Sequence, residues 1–275
     1  MPSATPKKTT ASKKVAPKVT AQAVKLVAAS RNVAAKPPAA PKVAKAPSKA
    51  PSKTPEATLT ISSKNYSSWS LRGWLLARFA GLEFTEQMVS PDDADARKEL
   101  LLLAPSIRVP CLTHEGAKVW NTLAIAQYLN EIKPKSGLMP DDRIARAHCR
   151  SVSGEMNSGF ANLRASLPMN LKGMVERRYP GHKIWGGAVP DIERITDIWT
   201  ECLAAYGGPY LFGAQRGMAD AMYAPVVTRF LTYDVRLNDA CTAYCKTIMA
   251  MPEMQEWLAA AQLEPDEIEQ LDMDF

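Results

Sequence analysis

The sequence predicts an α/β unit followed by an all-helical unit, both carried behind a basic tail. Three observations predict it. Composition and charge change abruptly near residue 57, strand-like runs alternate with helical periodicity up to residue 134, and beyond Pro134 only helical periodicity remains.

Residues 1–57 hold eleven Lys and one Arg against a single acid, Glu56, a charge of +11 that leaves the remainder at −5 of the +6 total. The tail lacks Phe, Trp and Tyr and is dense in Ala, Lys, Pro, Ser and Thr, with a tandem Lys-Ala-Pro-Ser unit from Lys45 to Ser52. Such a segment buries too little apolar surface to offset its chain entropy, so it reads as disordered, with Ala21 to Ala35 its one candidate for transient helix. Its acid-poor make-up is compatible with organelle transit, although Lys in place of Arg and nine prolines argue against a mitochondrial address. A flexible +11 segment also predicts sequence-independent, salt-sensitive polyanion binding, against a plain solubilising role. The acidic end, Glu264 to Phe275, with six carboxylates, could compete for that tail.

The 218 residues from Thr58 onward carry all six Trp and the other aromatics, enough for real cores in one unit or two. A strand at Leu59 to Ser62 precedes a polar turn, after which Leu71, Trp74, Leu75, Phe79 and Leu82 recur at helical spacing. Beyond the helix stop at Gly81 come a strand at Phe84 to Val89, a helix at Asp92 to Leu103, and a strand at Val109 to Thr113. A His114-Glu115-Gly116 turn, a strand around Val119 and a helix at Thr122 to Ile132 complete a βαβ-ββα order, which is the thioredoxin-like arrangement. Helices are predicted next at about Asp141 to Leu167, Asp191 to Tyr206, Met218 to Tyr233, Arg236 to Met249 and Pro252 to Ala261. The domain division is therefore 1–57, 58–134 and 135–275.

No apolar run approaches the roughly 18 residues of a membrane span. Five scattered cysteines without a secretory signal point to a reducing, cytoplasmic setting. Cys241 and Cys245 share a helix face but have no His nearby in sequence, so they read as packing and no metal is expected.

Three short stretches carry the chemistry. Asn65-Tyr66-Ser67-Ser68-Trp69-Ser70-Leu71-Arg72 sets hydroxyls at a helix start, Arg108-Val109-Pro110-Cys111-Leu112 an X-Pro bond beside a strand, and Trp120-Asn121-Thr122-Leu123 an amide and a hydroxyl at a second helix start. In this order they resemble the glutathione-binding half of a cytosolic glutathione transferase. The likeness continues through Gly208-Pro209-Tyr210-Leu211-Phe212-Gly213, Met218-Ala219-Asp220-Ala221, and the Glu155 to Phe160 and Leu167 to Asn170 stretches. The last two, with the Asn-Tyr-Ser-Ser-Trp-Ser opening, are similar to a mainly bacterial, serine-type branch.

The resemblance implies roles. Ser67 takes the catalytic place, by likeness to the Ser-Pro-Phe and Ser-Ser-Cys openings, with Ser68, Ser70 and Tyr66 as alternatives and plain helix capping as the competing reading. The energy suffices: a mostly ionised cysteine thiol near neutrality needs about 2.7 kcal/mol, and one charged hydrogen bond supplies roughly 1.5–3. Ser68 and Trp69 flank the ligand, and Arg108 would meet the glycyl carboxylate. A cis bond before Pro110 would let Val109 pair with the cysteinyl backbone, whereas the bare sequence favours an ordinary trans proline. Thr122 would receive the γ-glutamyl carboxylate at a helix N-terminus, or merely cap that helix.

Departures from the family pattern also matter. Asn121 stands where an acid normally holds the ligand's amino group, Asn157 where a His often stands, and Gly217 before Asp220 leaves half a capping box. Met156, Phe160, Tyr179, Trp185 and Tyr223 are candidates to line an electrophile pocket, against a reading as core. The expectation is an enzyme of detoxification, a homodimer by resemblance, that joins the glutathione thiolate to a hydrophobic electrophile, with glutathione as substrate. The alternatives are a non-catalytic binding protein tethered to nucleic acid or an anionic surface by the tail, and a glutathione-dependent isomerase.

Overall fold

The computed structural model describes residues 57–89 and 109–265. The basic tail, the helix expected at Asp92 to Leu103, Arg108 and the acidic end beyond Pro265 lie outside the described residues.

Four strands form one sheet in the order β2-β1-β3-β4, from β1 (Ala57–Ile61), β2 (Phe84–Met88), β3 (Cys111–His114) and β4 (Ala117–Trp120). β1 starts at Ala57, one residue inside the stretch that composition assigns to the tail. Its alternation buries Ala57, Leu59 and Ile61 on one face, as period-2 patterning requires. β2 runs parallel to β1, while β3 is antiparallel to β1 and β4 to β3. A parallel crossover through α1 (Ser68–Phe79) joined to a hairpin is the thioredoxin-like arrangement the sequence predicts.

α1 is buried almost all round because it packs against α2 (Thr122–Ile132) and also against α7 (Met218–Thr232) of the helical half. Arg72 fastens it to α7, its Nε donating to the Met222 carbonyl at 2.7 Å. Gly73 is required by close approach: a Cβ there would fall 2.5 Å from Pro110 Cβ.

The remaining described elements are helical: α3 (Arg143–Ser158), α4 (Ala161–Ser166), α5 (Leu171–Glu176), a single 3-10 turn, α6 (Val189–Tyr206), α7, α8 (Asp239–Met249) and α9 (Pro252–Gln262). The single helix expected from Asp141 to Leu167 is instead two. The chain breaks at Gly159 and at Phe160, whose φ of 60° is left-handed, and Arg164 Nη2 donates to the carbonyls of Met156, at 2.9 Å, and Gly159. α5 is an addition to the sequence-based set, capped by Asn170, whose Oδ1 accepts from Gly173 N–H at 2.9 Å. α8 begins at Asp239 rather than Arg236 because Asn238 caps it.

At the start of α7 the half capping box is present. Asp220 Oδ2 accepts from Gly217 N–H at 2.8 Å, and Oδ1 accepts from Leu211 N–H and the Tyr244 hydroxyl, both at 3.1 Å. Burial pushes the Asp220 carboxyl up to about 6 despite these donors. The five cysteines are all buried and unbridged, and burial pushes Cys149, Cys202 and Cys245 up to about 12, so their thiols are inert near neutrality.

Candidate active site

Sheet register brings the three motif stretches together. Thr60 pairs with Cys111 and Cys111 with Trp120, so the loop leaving β1, the segment entering β3 and the chain leaving β4 emerge at the same end of the sheet. They carry Ser67, Val109-Pro110 and Asn121-Thr122 respectively.

Ser67 is the N-cap of α1. Its backbone is extended and its Oγ accepts from Ser70 N–H at 3.2 Å. The capping reading is thus realised: the buried Ser67 oxygen serves the cap as an acceptor. Ser70, an alternative nucleophile partner, is turned back to β1, where its Oγ accepts from Ser62 N–H at 3.0 Å. Tyr66 is buried.

Ser68 has a distinct environment. Its Oγ accepts from Arg72 Nη1 at 3.5 Å and from Arg229 Nη2 at 3.4 Å. Arg229 is only 2% exposed, its Nε donates to the Leu167 carbonyl at 2.8 Å, and burial together with the nearby Arg164 pushes it down to about 10. It therefore stays cationic at neutral pH. The Trp69 ring lies beneath both Arg72 and Arg164, whose guanidinium carbons stand 4.7 and 5.3 Å from its centroid. Positive charge thus gathers at the start of α1, the end of a helix that already favours an anion.

Val109-Pro110 is a cis bond. Both residues are buried, and Pro110 seats against Gly73. At the third corner the cap is Asn121 rather than Thr122: Asn121 Oδ1 accepts from Leu123 N–H at 2.9 Å, and its φ of 71° lies where Asn is better tolerated than most residues. Thr122 is fully buried, and its hydroxyl donates to Asn157 Oδ1 on α3 at 3.2 Å, tying this corner to the helical half.

The expected electrophile pocket divides. Met156 and Tyr223 are wholly buried core residues, the latter donating its hydroxyl to the Val152 carbonyl at 3.1 Å. Phe160 is the left-handed residue between α3 and α4, and Tyr179 packs its ring 5.2 Å from that of Tyr233. Trp185, at 60% exposure, is the open member of the set. None of the five lines the cleft of about 560 Å³ between the Pro134–Asp141 connection and Phe212–Met218. His114, at the end of β3, hydrogen-bonds the Tyr128 hydroxyl at 2.8 Å.

Gly73, Arg164 and Arg229 escape a sequence reading of the site. An isolated Gly inside a helical pattern was a usable signal for the first. The two arginines carry none, because the site residues they meet, Trp69 for Arg164 and Ser68 for Arg229, lie far along the chain. No described group of side chains could hold a metal, and no described helix is long and apolar enough to cross a membrane.

Two family models, described as glutathione S-transferase N-terminal domain and glutathione S-transferase C-terminal domain, match residues 66–132 and 173–260, together more than half of the chain. The chain belongs to the glutathione transferase family. Among curated relatives, a maleylacetoacetate isomerase of Mus musculus is 27% identical over 163 residues, 59% of this chain and 67% of that protein. Glutathione S-transferase 1 of Dianthus caryophyllus is 25% identical over 175 residues, 63% of this chain and 78% of its own. The crystal structure of a maleylacetoacetate isomerase from Anaeromyxobacter dehalogenans, with glutathione bound in its active site, aligns with a TM-score of 0.55 and 23% identity over 77% of this chain and 99% of that one. At that identity the likeness speaks for the fold.

Proposed function

We propose that this chain binds glutathione at the shared end of the sheet and presents its thiolate, held by the Ser67 hydroxyl, to a hydrophobic electrophile. The observation that carries the reading is the register through Thr60, Cys111 and Trp120, which gathers the three motif stretches at one place. The cysteinyl backbone lies along Val109, and the γ-glutamyl end reaches Asn121 and the N-terminus of α2. Residues 58–134 form the glutathione-binding unit, and the homodimer of the family belongs to the same proposal. The positive charge of Arg229 and Arg164 near the start of α1 adds to the Ser67 hydrogen bond in favouring thiolate over thiol.

A second reading, glutathione-dependent isomerisation, is favoured by the relatives named as maleylacetoacetate isomerases. The two share their first step: the thiolate sulfur donates an electron pair to an electrophilic carbon and a C–S bond forms. In conjugation that bond persists: by substitution the leaving group departs with its electron pair, and by addition the broken π bond leaves a carbanion that takes up a proton from solvent. In isomerisation the same bond breaks after rotation about the former double bond, and glutathione returns unchanged.

Glutathione-affinity capture followed by product analysis separates these. Retention, with one glutathione consumed per electrophile, is the expected result. Turnover of a cis-unsaturated acid with no glutathione consumed would move the chain to the isomerase reading, and failure of the chain to bind glutathione would overturn both.

A further inference from the structure

The loop that delivers Ser67 is held by the far end of the chain. Glu264, two residues past α9, lays its carboxylate against this turn. Oε1 accepts from Lys64 N–H at 2.5 Å, while Oε2 accepts from Asn65 N–H at 3.1 Å and from the Ser63 hydroxyl at 2.8 Å. With its proton directed to Glu264, the Ser63 oxygen accepts from the N–H groups of Asn65 and Tyr66, both at 3.1 Å, and the Ser63 carbonyl accepts from Ser67 N–H at 3.0 Å. One carboxylate and the hydroxyl it orients therefore accept from three successive backbone N–H groups of a turn that belongs to neither helix nor strand.

The grip is reciprocal. Trp257 Nε1 on α9 donates to the Lys64 carbonyl at 2.9 Å, and Lys172 Nζ on α5 donates to the Glu264 carbonyl. The adjoining residue is fixed by α5 as well: Asn65 Oδ1 accepts from Lys172 N–H at 2.8 Å. Glu264 is half-buried and more than 190 residues away in sequence from each of the three residues it holds, |i−j| being 199 to 201.

We infer that Glu264 is a positioning residue for Ser67, setting the Ser63–Ser67 turn and thereby the place of the hydroxyl that faces the thiolate. The inference rests on the proposed role of Ser67. The carboxylate acts through the turn: when Oε2 no longer orients Ser63, the Ser63 carbonyl loses its fixed relation to Ser67 N–H and the cap of α1 loses its register. Misplacement of a catalytic group by about 1 Å is enough to cost roughly a hundredfold in rate.

The test compares full-length Glu264→Gln and Glu264→Asp with Glu256→Gln, a control on α9 whose carboxylate pairs with Arg78 at 2.5 Å on the exposed surface. In Glu264→Gln, amide exchange at Asn65, Tyr66 and Ser67 should rise about tenfold or more, and kcat should fall roughly ten- to a hundredfold. The apparent pKa of the bound glutathione thiol should also rise, and KM for glutathione should move by less than about threefold. Glu264→Asp, which keeps the charge one methylene short, should recover part of kcat and of the thiol pKa, and Glu256→Gln should leave all four readouts alone. Unchanged exchange and thiol pKa in Glu264→Gln would overturn the inference. So would a rate loss matched by Glu256→Gln, or one confined to the unfolded fraction. Failure of the wild type to bind glutathione strikes instead at the role of Ser67, and the exchange arm then still judges the coupling between Glu264 and the turn.

Discussion

Two helix N-termini meet at the same end of the sheet, and they are built differently. The start of α1 is buried and held from many directions: Ser67 caps it, two arginines reach Ser68, and Glu264 and Trp257 grip the turn ahead of it. The start of α2 is lightly held, by an exposed Asn121 with a positive φ and one hydroxyl bond from Thr122 to Asn157. Placement of a catalytic hydroxyl tolerates little error, whereas recognition of a ligand's flexible γ-glutamyl end is a matter of charge and dipole with looser geometry. Substitutions at the first corner should therefore act on rate and fold, and those at the second on affinity.

The largest effect is expected where α1 meets the segment entering β3. A Cβ in Gly73→Ala would overlap Pro110, so the variant should lose about 3 kcal/mol in urea unfolding and most of its glutathione affinity. Wild-type stability would show that α1 and Pro110 part without consequence and that their contact does not shape the corner.

Next comes the hydroxyl itself. Ser67→Gly removes it while keeping an acceptable N-cap at a cost of only a few tenths of a kcal/mol, so chemistry is separated from capping. The conjugation rate should fall roughly ten- to a hundredfold and the bound thiol's apparent pKa should rise. Ser68→Ala should do less to the thiol and more to thermal stability, because it strips an acceptor from two buried guanidiniums. Thiolate absorbance titrated in both variants decides between the neighbours, and a shift confined to Ser68→Ala would transfer the role.

The smallest effects belong to α2. Thr122→Val should weaken glutathione binding by about fivefold, because it removes the hydroxyl bond to Asn157 that steadies the start of α2. Asn121→Asp should tighten it by about threefold, by restoring a charge for the ligand's amino group and complementing the helix dipole. Calorimetric titration giving both variants the same sign would end the contrast between the corners.

How much of this was readable in advance depends on where each partner lies along the chain. The strand run at Leu59 to Ser62 and the helical spacing of Leu71, Trp74, Leu75 and Phe79 are local, and the strand and helix they predicted stand in the structure as Ala57–Ile61 and Ser68–Phe79. The break at Gly159 and Phe160 was not legible, because the helical pattern continues across it and the break is completed by Arg164 folding back on the carbonyls of α3. At the candidate site, Ser67, Pro110 and Thr122 were named from their own neighbourhoods. The cap at Asn121 in place of Thr122 was missed, since either side chain is chemically suited to it.

By itself the sequence determined the thioredoxin-like order, the helical half and the hydroxyl at the start of α1, all of which follow from periodicity and capping chemistry within about a dozen residues. Only the tertiary structure decided that Arg229, 161 residues from Ser68, places its charge there, that Pro110 needs a glycine on α1, and that Glu264 holds the Ser63 turn. The physical reason is that a buried charge or an unsatisfied backbone donor takes whatever partner the packed chain brings within about 3 Å, and the pattern around either residue does not say which partner that will be.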